Sequence, residues 1–209
     1  LKETLPSQYA HFDYITLIDE EIDRMAGIVQ RMLDLHRQPW KADTEMDLAE
    51  SVRAAVLLLE PVFRQYGVTV VSQMDQAPCR VRLPEIAVRQ VLVTLLTNAA
   101  EASPPGGVIK IQAALSEDHL QISVSDQGPG IAEEVCDRIF EPFFSTKHAK
   151  GIGGLGLGLA ICKSIMETLH GDLRFQNQPG QGCVFHVVFP LVNSGCETEV
   201  KHHDANSHR

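Results

Sequence analysis

Apolar residues in the first part of the chain fall at Ile15, Ile18, Ile22, Met25, Val29 and Met32, spaced 3, 4, 3, 4 and 3. That spacing is the seam of a coiled coil or antiparallel bundle, with Asp19, Glu20, Glu21, Asp23, Arg24, Gln30 and Arg31 on the outer faces and His36 next in register. One such helix cannot bury its stripe alone. It calls for a partner helix, from another copy or from sequence outside this chain, unless it lies on its own globular domain. Pro39 ends it by lacking an N–H and by disfavouring helical geometry at Gln38, so a domain boundary is placed at Gln38 to Thr44.

A second helical pattern begins at Asp47, with Leu48, Val52, Ala55, Val56, Leu59 and Phe63 on one face and Gly67 closing it. Val68 to Met74 and Cys79 to Leu83 read as strands rich in β-branched residues. Pro84 suits a first helical turn, and Ile86, Val88, Val91, Leu92, Leu95, Leu96 and Ala99 predict a helix from Glu85 to Ala102. Ser103-Pro-Pro-Gly-Gly107 stops it. Val108 to Leu115 and His119 to Val124 alternate and predict a hairpin that empties into Ser125 to Ile131. A loop-rich section follows, with a short helix predicted at Glu133 to Ile139, and then a glycine ladder from Gly151 to Gly158 that leads into a helical segment, Cys162 to His170. Gly171 is the predicted C-cap, and Asp172 to Gln176 with Cys183 to Phe189 form a last hairpin around NQPGQG. From Asn193 the tail is polar and expected to be disordered.

Composition narrows the class of protein. With 209 residues and 44% apolar content, the chain has room for one good-sized domain plus an appendage. Eighteen basic against 27 acidic residues give a formal charge of −9, which argues against nonspecific binding to nucleic acid or anionic membrane. The five cysteines are odd in number and lack CxxC or Cys/His spacing, so neither a disulfide framework nor a zinc site is expected. A reducing cytoplasm suits them. There is no run of 18 apolar residues and no signal-type N-terminus.

The glycine ladder carries the first chemical signal. Glycines at 151, 153, 154, 156 and 158 allow positive φ and close approach to a ligand, and a loop feeding a helix presents unpaired N–H groups to an anion. The same pattern also serves as a structural hinge. It matches neither GxxxxGK[ST] nor a dinucleotide-binding turn, so the rest of the chain has to decide.

Four stretches stand in a telling order: QVLVTLLTNAAEA (90–102), DQGPGI (126–131), FEPFFSTK (140–147) and GGLGLGLAI (153–161). They resemble the N, G1, F and G2 boxes of the histidine kinase ATP-binding domain, which shares a superfamily with gyrase, Hsp90 and MutL. The likeness covers roughly Ala42 to Leu191. It implies an α+β fold, a two-layer α/β sandwich, here preceded by one long coiled-coil-type helix similar to the second helix of a dimerisation hairpin. The implied division is 1–38 for that partial dimerisation region, 39–192 for the ATP-binding domain and 193–209 for a disordered tail.

The resemblance also implies cofactors and a site. ATP and Mg²⁺ are expected, with Asn98 as the metal ligand through its amide oxygen, a hard donor suited to Mg²⁺. Asp126 would accept the exocyclic amine of adenine. Nucleotide contacts would come from Asn98, Ala102, Asp126, Gly128, Gly130, Ile131, Thr146, Lys147, Gly154, Leu155, Gly156, Leu157, Gly158 and Cys183. Lys147 would neutralise β- or γ-phosphate, although a plain solvated lysine fits the sequence too. Phe140, Phe143 and Phe144 would pack the loop between.

Three departures from the pattern matter. Where the family usually has a second asparagine or an acid four residues before Asn98, this chain has Thr94, a poor base; Glu101, one turn beyond Asn98, is a candidate substitute. Gly182-Cys183 stands where Gly-Thr is common, and a thiol is a weak hydrogen-bond partner. No motif like His-Glu-[hydrophobic]-[Arg/Lys]-x-Pro occurs, since His11 precedes Phe-Asp-Tyr and His36 precedes Arg-Gln-Pro, so the phosphoacceptor histidine is absent. The reading is therefore the catalytic part of a histidine kinase, cytoplasmic, from a parent protein free to carry a membrane anchor elsewhere. Its partners would be a response-regulator receiver domain and a second copy through the dimerisation helices, with no nucleic acid and no direct membrane contact. A non-catalytic nucleotide sensor and an ATP-hydrolysing clamp stay open as alternatives.

Overall fold

A computed structural model describes residues 45–74, 80–146 and 155–191. The predicted heptad helix and the polar tail lie outside them. The chain divides into two compact units: a larger one of residues 40–137 and 162–209, and a smaller one of residues 1–39 and 138–161.

The larger unit is built on a five-stranded sheet. Its strands are β2 (Thr69–Met74), β4 (Val108–Leu115), β5 (His119–Ser125), β6 (Asp172–Gln178) and β7 (Gly182–Pro190), in the order β2-β4-β5-β7-β6. Only the β2–β4 pairing is parallel. A separate two-stranded sheet joins β1 (Glu45–Asp47) to β3 (Arg80–Arg82). The helices are α1 (Leu48–Leu58), α2 (Glu60–Tyr66), α3 (Glu85–Ala102) and α4 (Gly158–Thr168), of which the residues from Cys162 belong to this unit.

Alternation decides which face of the sheet is covered. Ile109 and Ile111 of β4, Leu120, Ile122 and Val124 of β5, and Phe185, Val187 and Phe189 of β7 are all buried. The register sets them side by side, with Ile111 opposite Val124, Ile122 opposite Val187 and Leu120 opposite Phe189. Against them lies α3, which buries Ala87, Val88, Val91, Leu92, Leu95, Leu96, Ala99 and Ala100 and packs on β4, β5 and α1. Each large side chain so buried contributes roughly 2 kcal/mol of transfer free energy. The opposite face is polar: the Gln112 amide donates to Gln73 Oε1 at 3.1 Å, and the Ser123 hydroxyl lies 2.9 Å from His186 Nδ1. The result is the expected two-layer α/β sandwich.

Several elements differ from the sequence expectation. The helix predicted from Asp47 to Gly67 is two helices that break at Leu59, because Pro61 sits in the first turn of α2 and cannot donate to a carbonyl one turn back. Strand β1 was not expected, being only three residues long. Ile86, assigned to the core stripe, is 68% exposed; Ala87 takes the buried position instead. The left-handed residue after α4 is His170, at φ 55°, and not Gly171. Glycine is needed at 171 for another reason, since a Cβ there would run into the Met166 methyl and the Val188 carbonyl. The short helix predicted after the Ile131 loop is a 3₁₀ helix, Glu133–Arg138.

Candidate nucleotide site

The site begins where β5 runs out. Asp126 follows the last strand residue, and its backbone N–H still pairs with the Cys183 carbonyl of β7 at 3.0 Å. Its side chain is turned inward and only 7% exposed. Oδ1 accepts from the Gly128 N–H at 2.8 Å and from the Cys183 N–H at 3.2 Å. No donor among the described residues reaches Oδ2, which is therefore an acceptor available to a ligand. Burial raises the Asp126 pKa above its ordinary value, against the lowering effect of the two N–H groups.

Glycines let the backbone close around this carboxylate. Gly182, at φ 109°, lies so close to Asp126 that a Cβ would overlap the Asp126 carbonyl. A Cβ at Gly128 would come within 2.7 Å of the Ala102 carbonyl, so the loop rests directly on the C-terminal end of α3. The same corner is tied by the Gln127 N–H donating to Ser103 Oγ at 3.4 Å and by the Val108 N–H donating to Gln127 Oε1 at 2.8 Å. At its far end the loop meets β6. Asn177 Oδ1 accepts from the Ile131 N–H at 2.8 Å, and Asn177 Nδ2 donates to the Ile131 carbonyl at 2.6 Å.

Asn98 lies on the stripe of α3 that the core leaves uncovered, with Thr94 and Ala102 one turn to either side. It is half-buried, and about 6 Å of helix rise separates it from Ala102. Glu101 is exposed in the last turn. Thr94 is engaged elsewhere: its hydroxyl shares a hydrogen bond with Cys162 of α4, whose buried thiol is pushed up to about 12. The Cys183 thiol is likewise pushed up to about 12, first by burial and then by the neighbouring Asp126 charge, so it is a neutral, apolar wall of the corner.

The smaller unit joins two of the four motifs. Gly156, at φ 69°, lies against the backbone of Phe143 and Phe144, and a Cβ there would sit 2.6 Å from the Phe143 carbonyl carbon. Phe143 itself holds φ at 65°. The Arg138 guanidinium covers the Phe144 ring at 4.5 Å from its centre, and Arg138 Nε donates to Glu141 at 3.0 Å. Helix α4 starts at Gly158, four residues earlier than predicted, and its first helical bond runs from the Ile161 N–H to the Leu157 carbonyl. The N–H groups of its first turn have no partner within the helix. Thr146 and Leu155 are exposed and Leu157 is half-buried, whereas Lys147 and Gly154 lie outside the described residues.

Of the residues expected from sequence, the structure thus gathers Ala102, Asp126, Gly128, Gly130, Ile131 and Cys183 in one corner of the larger unit, with Asn98 one helical turn away. Asn177, Ser103 and Gly182 were not anticipated as parts of it. By its residues NQPGQG is a turn, and nothing in it signals a partner 46 positions earlier.

Residues 84–193 match the family described as histidine kinase-, DNA gyrase B-, and HSP90-like ATPase. The signal transduction histidine-protein kinase AtoS of Escherichia coli is 31% identical over 90% of this chain and 30% of its own length, and sporulation kinase C of Bacillus subtilis is 32% identical over 86% and 41%. Among solved structures, the catalytic domain of histidine kinase ThkA in a nucleotide-free form is 34% identical, covering 71% of this chain and 96% of that one, with a TM-score of 0.61. The chain belongs to the histidine kinase-, DNA gyrase B- and HSP90-like ATPase family, and within it to the ATP-binding catalytic domains of sensor histidine kinases. It spans less than half the length of the two curated relatives.

Proposed function

We propose that this chain binds Mg-ATP with adenine against Asp126, and that the whole protein transfers the γ-phosphoryl group to a histidine for relay to a response-regulator aspartate. The observation that carries the reading is the Asp126 carboxylate, with Oδ1 held by two backbone N–H groups and Oδ2 left for a donor such as the adenine amine. A buried carboxylate fixed in this way discriminates strongly, because a ligand without the donor leaves it unpaired. Asn98 would hold Mg²⁺, which when bound offsets charge on the phosphates. Gly154, Gly156 and Gly158 would offer backbone N–H groups to phosphate, and Lys147 a compensating cation.

Catalysis would then be positioning and charge neutralisation: the bond from phosphorus to the β–γ bridging oxygen breaks, ADP leaves, and an imidazole nitrogen takes the phosphoryl group. The tie between Thr94 and Cys162 supports transfer over hydrolysis, since that position supplies no base to activate water. Glu101 is the remaining acidic candidate. Dimerisation through the predicted heptad helix and recognition by a receiver domain complete the reading. Among the described residues no helix is long and apolar enough to cross a membrane.

Titration calorimetry of nucleotide with and without Mg²⁺ tests the site. Asp126→Asn should lower affinity at least tenfold under both conditions, a loss of about 1.4 kcal/mol or more, whereas Asn98→Ala should lose affinity mainly when Mg²⁺ is present. Equal affinity in all three proteins would overturn the assignment. Because no phosphoacceptor motif is present, the chain should take up no acid-labile, base-stable label from γ-labelled ATP, yet should label a supplied helical hairpin bearing the histidine. Label on the chain itself would contradict the first expectation, and an unlabelled hairpin the second.

A further inference from the structure

The loop from Asp126 to Ile131 is held at both ends by one cross-strand pair. Cys183 of β7 and Asn177 of β6 are direct Cα partners in the β6–β7 ladder. The first end of the loop is fixed to the main chain of Cys183, the Asp126 N–H donating to its carbonyl and its N–H donating to the side-chain Oδ1 of Asp126. The other end is fixed to Asn177 by a side chain, whose amide donates to and accepts from Ile131 just as a neighbouring strand would. The Gly180 N–H adds a bond to the Pro129 carbonyl at 2.8 Å. Gly130, at φ 80°, is pressed so close that a Cβ would lie 2.8 Å from Asn177 Oδ1.

We propose that Asn177 is a positioning residue for base recognition: by latching Ile131 to β6 it sets the path of Gly128, and Gly128 in turn fixes the rotamer of Asp126. The proposal rests on the reading of Asp126 as the adenine acceptor. The chain of cause is short. The Gly128 N–H holds Asp126 Oδ1 at 2.8 Å, which aims Oδ2. Gly128 has no side chain to hold it, so its place is set by the ties on either side of it: Cys183, Ser103 and Val108 before it, and the Gly180 N–H and the Asn177 amide after it. The main-chain bonds to the Cys183 carbonyl and from the Gly180 N–H cannot be removed by changing a side chain; the tie at Ile131 is the Asn177 amide. With that latch cut, the far end keeps only the single Gly180–Pro129 bond, so Gly128 and the carboxylate it holds lose part of their fixed direction, which matters because sites of this kind depend on sub-ångström placement.

Guanine offers a carbonyl oxygen where adenine offers its amine, so the ratio of ATP to GTP affinity reports the aim of Asp126, whereas tripolyphosphate reports the phosphate contacts alone. The expected result is that Asn177→Ala lowers that ratio about tenfold, comparable to one well-placed hydrogen bond, with tripolyphosphate affinity unchanged. Asn177→Asp keeps an acceptor for the Ile131 N–H but turns an oxygen toward its carbonyl; it should also lower the ratio and serves where the alanine variant folds poorly. A ratio unchanged in a folded Asn177 variant, while Asp126→Asn lowers it, overturns the latch and leaves the adenine reading standing. An equal loss for ATP, GTP and tripolyphosphate shows a merely structural role and also overturns it. If Asp126→Asn itself leaves the ratio unchanged, the adenine reading fails and the latch fails with it.

Discussion

Asp126 shows how one residue meets opposing demands. Burial favours its neutral form, and two backbone N–H groups favour its charged form; burial wins, and the pKa is raised from 3.8. A raised carboxyl binds more protons in the folded than in the unfolded state between the two pKa values, so stability from this group is greatest below pH 3.8 and falls as pH rises through the folded value. Asp126→Asn keeps Oδ1 as acceptor for Gly128 and Cys183 and removes the ionisation. Urea denaturation across pH should therefore show the variant gaining on the wild type as pH rises through that window and holding its advantage above it. A constant difference at all pH values would show that Asp126 is not under desolvation strain. The sequence points to Asp126 through its motif, yet Cys183, which holds Asp126, lies 57 positions from it, and Asn177, which holds Ile131, lies 46 positions from that residue. No local pattern encodes such contacts.

At the scale of elements, periodicity tells most where an element is long. The 18 residues of α3 repeat their apolar positions often enough to be unmistakable, and the β4–β5 hairpin alternates cleanly. Elements set by ends and breaks are harder to read. Leu59 and Phe63 stay in phase across the α1–α2 break, so the apolar pattern runs through a point where the backbone does not. The end of α4 is similar: Gly171 looks like the cap, but its missing side chain serves packing, and His170 bears the left-handed conformation with its N–H donating to Glu167. Non-glycine residues pay for that geometry, and His170 is exposed with little to lose in contacts. His170→Gly should stabilise the domain by about 0.5–1 kcal/mol, the conformational gain being partly offset by the more flexible unfolded chain. Thermal unfolding of the two proteins checks this, and a lower midpoint for the variant would mean that the histidine makes a contact worth more than its strain.

At the scale of the whole molecule, charge governs how nucleotide must arrive. The chain carries a formal charge of −9 and ATP is itself a polyanion, so their mean interaction is repulsive and falls off over about 10 Å at 0.1 M salt. Among the described residues named at the base corner none is a cation: Asp126 is acidic, Cys183 is neutral at ordinary pH, and Glu101 stands at the exposed end of α3. Beside the lysine expected at 147, the metal assigned to Asn98 is expected to carry much of the compensation, and binding should be strongly linked to it. Ligand that binds only the folded chain stabilises by mass action, about 2.7 kcal/mol at one hundred times its dissociation constant. For a domain of this size that corresponds to a rise of roughly 5–10 °C in the unfolding midpoint. Scanning calorimetry should show the full rise with ATP and Mg²⁺, a small fraction of it with ATP and a chelator, and little difference between the two conditions in Asn98→Ala. An equal rise with and without the metal would mean that the charge is balanced by side chains of the protein, and the role assigned to Asn98 would have to be abandoned.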